Sequence, residues 1–138
     1  MIKEKDILPR LVQACPEYGS VLNEFLHEET DAGRNERLTY NEVGDFARWL
    51  VGRVADGAIT GIQPFGTELE RLLTEGDEET RQFATIGLIE DIQEGCVETG
   101  VDPDLFMHSL GPVSRDKWFA IVRFKFARRM DRWPGTVE

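Results

Sequence analysis

Two histidines, two cysteines and 26 carboxylates are the side chains from which this chain of 138 residues could build chemistry. Glu24 and His27 stand at the i,i+3 spacing of half a di-iron carboxylate site in a helical bundle. The other half needs a second Glu-x-x-His, and His108 has Leu105 at that offset. His27 therefore reads as a polar residue at a helix end. The histidines do not form a zinc spacing, and no Cys-x-x-Cys occurs. Cys15 has no base beside it, so a thiol nucleophile is not expected. Cys15 and Cys96 both fall in apolar helical patterns, where a free thiol behaves as a small hydrophobe. Glycine-rich phosphate cradles and the Gly-x-Ser-x-Gly nucleophile turn are missing. Enough carboxylates exist for a pair to meet in space as acid and base. No spacing singles one out. The expectation is a protein that binds and is not an enzyme, with no cofactor and no metal.

Charge says what such a protein would bind. The net charge is −10, which disfavours nucleic acid and anionic membranes and favours a basic partner. Residues 1–113 carry a net −14 and residues 114–138 a net +4. Apolar residues at 41% and charged ones at 30% are globular proportions, and the length is that of one domain. Two cysteines cannot make a disulfide framework. The start of the chain lacks the apolar run of a secretory signal, and no apolar stretch is long enough to span a membrane. A reduced, cytoplasmic setting is expected.

The elements that must position these groups have the helical period almost throughout. Ile7, Leu8, Leu11, Val12 and Cys15 form one stripe, Pro16 interrupts it, and Tyr18, Val21, Leu22, Phe25 and Leu26 resume it. Residues 28–38 read as a polar loop. Thr39 and Glu42 make a capping box for a helix through Val43, Phe46, Leu50 and Val54, with Gly57 as its stop. Thr67 begins a short helix that ends at Gly76. Ile59 and Ile62 could form a short extended piece, too little for a sheet. Asp77 caps a long helix that ends at Gly100. Asp102-Pro103 starts a short helix carrying Leu105, Phe106 and Leu110. The last helix runs from Ser114 to about Arg132, and 134–138 is a short C-terminal tail. The fold class is all-α: residues 1–138 as one compact domain of six to eight helices, with stacked helical hairpins as the expected arrangement.

Two helix faces stand out at 100° per residue. Between Asp77 and Glu98, Ala84, Leu88, Ile89, Ile92 and Cys96 share a broad apolar side, with Ile86 and Val97 at its edge. Glu90, Asp91, Glu94 and Glu98 share the other side, with Gly87 among them. The last helix has an apolar stripe of Trp118, Phe119, Val122, Phe126, Met130 and Trp133. Lys117, Lys125, Arg128 and Arg132 line another side, and Phe124 lies between. An acidic stripe by itself is a solvated face more often than a site. The favoured reading pairs the basic face with acidic helices of the same chain. The alternative is a homodimer that sets the basic face of one protomer on the acidic surface of the other.

Three stretches carry a resemblance: Ile7-Leu8-Pro9 to Pro16-Glu17-Tyr18, Leu72 to Gln93 around Gly76-Asp77-Glu78-Glu79, and Leu110-Gly111-Pro112-Val113-Ser114-Arg115. In this order the chain resembles a family of small helical bacterial immunity proteins of polymorphic toxin systems, including contact-dependent growth inhibition. The resemblance implies an immunity protein that binds a cognate toxin domain, a nuclease, and occludes its active site with an acidic surface. It implies no catalytic residues, and a monomer in the toxin complex in preference to a homodimer. The candidate partner-binding residues are Glu28, Glu29, Asp31 and Glu36 in the loop and Glu90, Asp91, Glu94 and Glu98 on the helix. The alternative function is a helical adaptor or regulator with another basic cytoplasmic partner.

Overall fold

Helical periodicity along the chain becomes an all-α domain in the computed structural model, which describes residues 1–22, 40–126 and 133–138. A 3-10 turn at Glu4–Asp6 leads into α1 (Ile7–Ala14), which buries Ile7, Leu8 and Leu11. The chain bends at 15–17, where Pro16 stands, and α2 starts at 18 and is described to 22. Next come α3 (Tyr40–Ala55) and α4 (Ile62–Glu75). Then α5 (Glu78–Gln82), a π-helical segment (Phe83–Ile89) and α6 (Glu90–Thr99) run on without a break. The short α7 (Asp104–Met107) precedes α8 (Pro112–Phe126). Thr39, the expected cap of α3, lies outside the described residues.

Two boundaries differ from expectation, both at prolines. Helix α4 begins at Ile62, not Thr67. Pro64 sits in its first turn, where a missing N–H leaves no hydrogen bond unmade. Ile62 is therefore helical and buried, and Ile59 is exposed on the preceding turn. Helix α8 likewise starts at Pro112, not Ser114. The described residues contain no strand, only one isolated parallel bridge between Ile2 and Gly76.

The core forms where the apolar stripes meet. Helix α3 packs on the π segment and α6, and α4 packs on α8, α1 and α7. Phe46 of α3 lies at a junction: Tyr18 meets it edge-on at 5.0 Å between centroids and Phe65 of α4 lies 5.8 Å away. Buried Gln93 of α6 donates to the Trp118 carbonyl of α8 at 3.1 Å. Trp133 returns to the core against Phe126 and Trp118, at 4.8 and 6.0 Å. The tail beyond it folds onto α7, with Thr136 donating to Asp104 from its N–H at 2.8 Å and its hydroxyl at 2.6 Å.

The π segment changes the faces of the long helix. Bonding i→i+5 makes each residue advance by less than the α-helical step, so everything after it is rotated. Gly87, expected among the acidic residues, is instead buried against α3. A Cβ there would lie 2.8 Å from Val43 Cγ1. Asp91 is turned toward α3 as well, 2.5 Å from where a Cβ on Gly44 would stand.

Caps explain the two motifs of the resemblance as fold determinants. Asp77 accepts the Thr80 N–H at 2.8 Å, and the Thr80 hydroxyl donates to the Ile2 carbonyl at 3.1 Å, so the same turn anchors the N-terminus. Gly100 ends α6 at φ +80°, a left-handed conformation that glycine adopts without strain. At Leu110–Arg115 the capping groups come from elsewhere in the fold. Glu70 of α4 accepts from the N–H groups of Val113 and Ser114 at 3.2 and 2.8 Å and from the Ser114 hydroxyl at 2.7 Å. Gly111 leaves room for it, since a Cβ there would lie 2.6 Å from the Glu70 carboxyl carbon. Arg115 donates back to the Met107 carbonyl at 3.3 Å.

Candidate functional site

The acidic candidates divide into two sets. Glu28, Glu29, Asp31 and Glu36 lie outside the described residues. On α6, Glu90, Asp91 and Glu94 are half-buried, and Glu98 is exposed. The structure brings Glu90 and Glu94 together around one cation of α8, and turns Asp91 toward α3. Lys125 Nζ stands 2.6 Å from Glu94 and 3.4 Å from Glu90. This is the pairing within one chain that the opposite charges of the two helices suggested. It commits Glu90 and Glu94 to an internal contact. Arg128 and Arg132, expected in the same pairing, lie outside the described residues.

Electrostatics of the cluster follow from its burial. Burial pushes the Asp91 carboxyl above its usual range, with Glu90 and Glu94 adding to the rise and Arg48 and Lys125 opposing it. Lys125 itself loses hydration on burial, yet its bonds with Glu94 and Glu90 outweigh that and raise its pKa. Around the corner on α3, the Tyr18 hydroxyl donates to Asp45 at 2.5 Å. Sequence reasoning missed Asp45 and Arg48, because the faces of α3 were read only for their apolar stripe. Asp91 faces the backbone of α3 at Gly44, so its geometry is that of a packing contact.

A small pocket lies between the end of α1, the end of α3 and the turn before α4. It encloses about 90 Å³ and is lined by Cys15, Trp49, Leu50, Arg53 and Gly61, among others. Arg53 pairs with Glu17 at its mouth, and its guanidinium lies 5.7 Å from the Trp49 ring centroid. The Cys15 thiol donates to the Gly61 carbonyl at 3.7 Å. Burial and the nearby Glu17 push its pKa up to about 11, which keeps it protonated and weakly nucleophilic at neutral pH. Cys96 is also free and buried.

Among the described residues, no group of three or more His, Cys, Asp or Glu side chains is placed to hold a metal ion. Glu24 and His27 are outside them. No helix among them is long and apolar enough to cross a membrane.

An all-α domain whose charged groups knit its own helices together is thus the class of protein defined here. Residues 8–125 match the family described as a domain of unknown function (DUF7674), and the chain belongs to that family. No curated protein and no solved structure matches it.

Proposed function

We propose that this protein is an immunity protein that binds a cognate bacterial toxin domain, a nuclease, and occludes its active site with an acidic surface. The observation that supports the reading is the charge distribution. Of a net −10, the described cations of the terminal helix take up only Glu90 and Glu94, through Lys125. A nuclease needs a basic substrate cleft, and charge complementarity speeds encounter and adds specificity. The acidic groups assigned to this contact are Glu28, Glu29, Asp31 and Glu36, with Glu98 as the α6 member that stays exposed. Glu90, Asp91 and Glu94 contribute at the edge, where Lys125 already offsets part of their charge. The protein acts in the cytoplasm of the cell that it protects.

The test is co-expression with the product of the 3′ end of the gene immediately upstream. The expected result is killing by that product alone, rescue by this protein and co-purification of the two. Charge reversal at Glu28, Glu29, Asp31 and Glu36 then weakens the complex. A harmless upstream product rejects the reading. Co-purification with a basic protein that is not toxic favours an adaptor instead.

A further inference from the structure

Helix α8 buries Trp118, Phe119, Val122 and Phe126 and presents the opposite face to water. On that face Val113, Lys117, Ala120 and Phe124 recur at helical spacing. Phe124 is 90% exposed, which is unusual for a side chain of this size within an ordered helix. At the other end of the same face lies a groove of about 500 Å³. Leu73, Ile86 and Val113 are its apolar lining, and the charged Glu78, Arg81 and Lys117 lie beside them with the polar Gln82 and Thr85. Ile86 is 48% exposed and Val113 37%. The π segment carries Ile86, so the same irregularity that buries Gly87 forms one wall of the groove.

A projecting ring and a groove with an apolar patch and a charged rim therefore share one helix face. Val113 and Phe124 are about 16 Å apart along α8 at 1.5 Å per residue. We infer that two copies of this chain pair through α8, antiparallel about a two-fold axis, each inserting Phe124 into the other's groove beside Ile86 and Val113. A two-fold axis satisfies both contacts at once, because a knob and a hole on one patch make that patch self-complementary. Small Ala120, near the middle of the face, lets the helices approach.

Charge fits the same register. Asp116 and Arg123 lie exposed on one flank of α8, on either side of its midpoint, with Arg123 donating from one end of its guanidinium to the Glu138 carbonyl at 3.1 Å. An antiparallel pair sets Asp116 of one copy beside Arg123 of the other, twice. Lys117 makes no ion pair among the described residues, and it stays at the groove edge where its stem can cover the inserted ring. The contact differs from a docking of the basic face on an acidic surface, since Lys125 is already held by Glu90 and Glu94. It also does not rest on the toxin reading.

Sedimentation equilibrium of the purified chain tests it, at up to roughly 200 µM, where an interface with a dissociation constant of about 10 µM is largely filled. The expected result is a concentration-dependent rise from 15.7 kDa to twice that mass. Phe124→Glu should raise the dissociation constant about 30-fold or more, the effect of losing an interface hot spot. Because Phe124 is exposed in the single chain, the variant's thermal midpoint should fall by no more than the loss of dimerisation accounts for. Asp116→Arg and Arg123→Asp should each weaken the dimer, and the double variant should restore it. A monomer at every concentration overturns the inference. So does a dimer that survives Phe124→Glu, or a charge swap without rescue.

Discussion

The Glu70 carboxylate accepts both the backbone N–H and the hydroxyl of Ser114, at 2.8 and 2.7 Å, across 44 residues of sequence. A side chain of α4 thus caps α8, and the two helices cannot separate without exposing the first turn of α8. Partial burial tends to raise the Glu70 pKa, but the bonds from Ser114 and Val113 outweigh this and hold it below 4.5. A carboxylate lowered on folding stabilises the native state above its unfolded pKa. That stabilisation is lost as pH falls through the folded value. Glu70→Ala should therefore cost about 1 kcal/mol near neutrality, as lost caps do. Glu70→Gln should flatten the decline in stability below about pH 4.5. Urea denaturation from pH 3 to 7 checks both, and equal pH profiles for wild type and Glu70→Gln would exclude the cap as a source of that slope.

Gly87→Ala tests the π segment. The added Cβ would stand 2.8 Å from Val43 Cγ1, and Val43 is β-branched and fully buried. Such a side chain has little rotamer freedom with which to yield. Helix propensity alone favours alanine by up to about 1 kcal/mol. Overpacking of a close helix contact costs about 1–3 kcal/mol and should win. A lower thermal midpoint is expected, and a higher one would mean that α3 and the π segment are not in contact at this point.

These examples show what could be read ahead of the structure. Local signals were legible: Asp77 as a cap, Gly100 as a stop, the apolar stripe of α8 and the break at Pro16 all depend on neighbours in sequence. The start of α4 was not, because Pro64 reads as a breaker unless its place in the first turn is known. The faces of α6 were half legible. Spacing put Glu90 and Glu94 on one side, where Lys125 meets them. It misplaced Gly87, since a uniform 100° step has no means of foreseeing a π turn. The role of Glu70 was illegible for a simpler reason: nothing near it in sequence is its partner. The loop acids Glu28, Glu29, Asp31 and Glu36 were legible only as charge.

Thiol chemistry gives a prediction with two parts. Burial, with the nearby Glu17, pushes Cys15 up to about 11; burial, with Asp102, pushes Cys96 up to about 12. Thiolate is the reactive form, and both groups are also sterically enclosed. Native protein at pH 8 should react with a disulfide reagent only as fast as it opens. Two thiols should react at once in denaturant. Rapid native labelling of one thiol would show that the pocket around Cys15 opens readily.

Among the described residues Lys125 is the one cation placed between Glu90 and Glu94, and its removal should be felt through those two residues. They are an i,i+4 pair of like charge, and Asp91 lies between them on the chain. Lys125→Met keeps most of the stem and deletes the charge. The exposed half of such a contact is screened by water, so the loss should be about 0.5–1 kcal/mol at low salt. It should shrink as salt rises, since screening weakens both the attraction and the repulsion left behind. Linkage supplies the sign at high pH. A lysine whose pKa is raised above 10.5 contributes in full below that value, and its contribution disappears as pH climbs through the folded value. The wild type should thus lose stability on the alkaline side more steeply than Lys125→Met. Lys125→Glu should be the more damaging change, and Glu94→Lys in that background should recover much of the loss. If the pair of substitutions is simply additive, α6 and α8 are not held together by this contact.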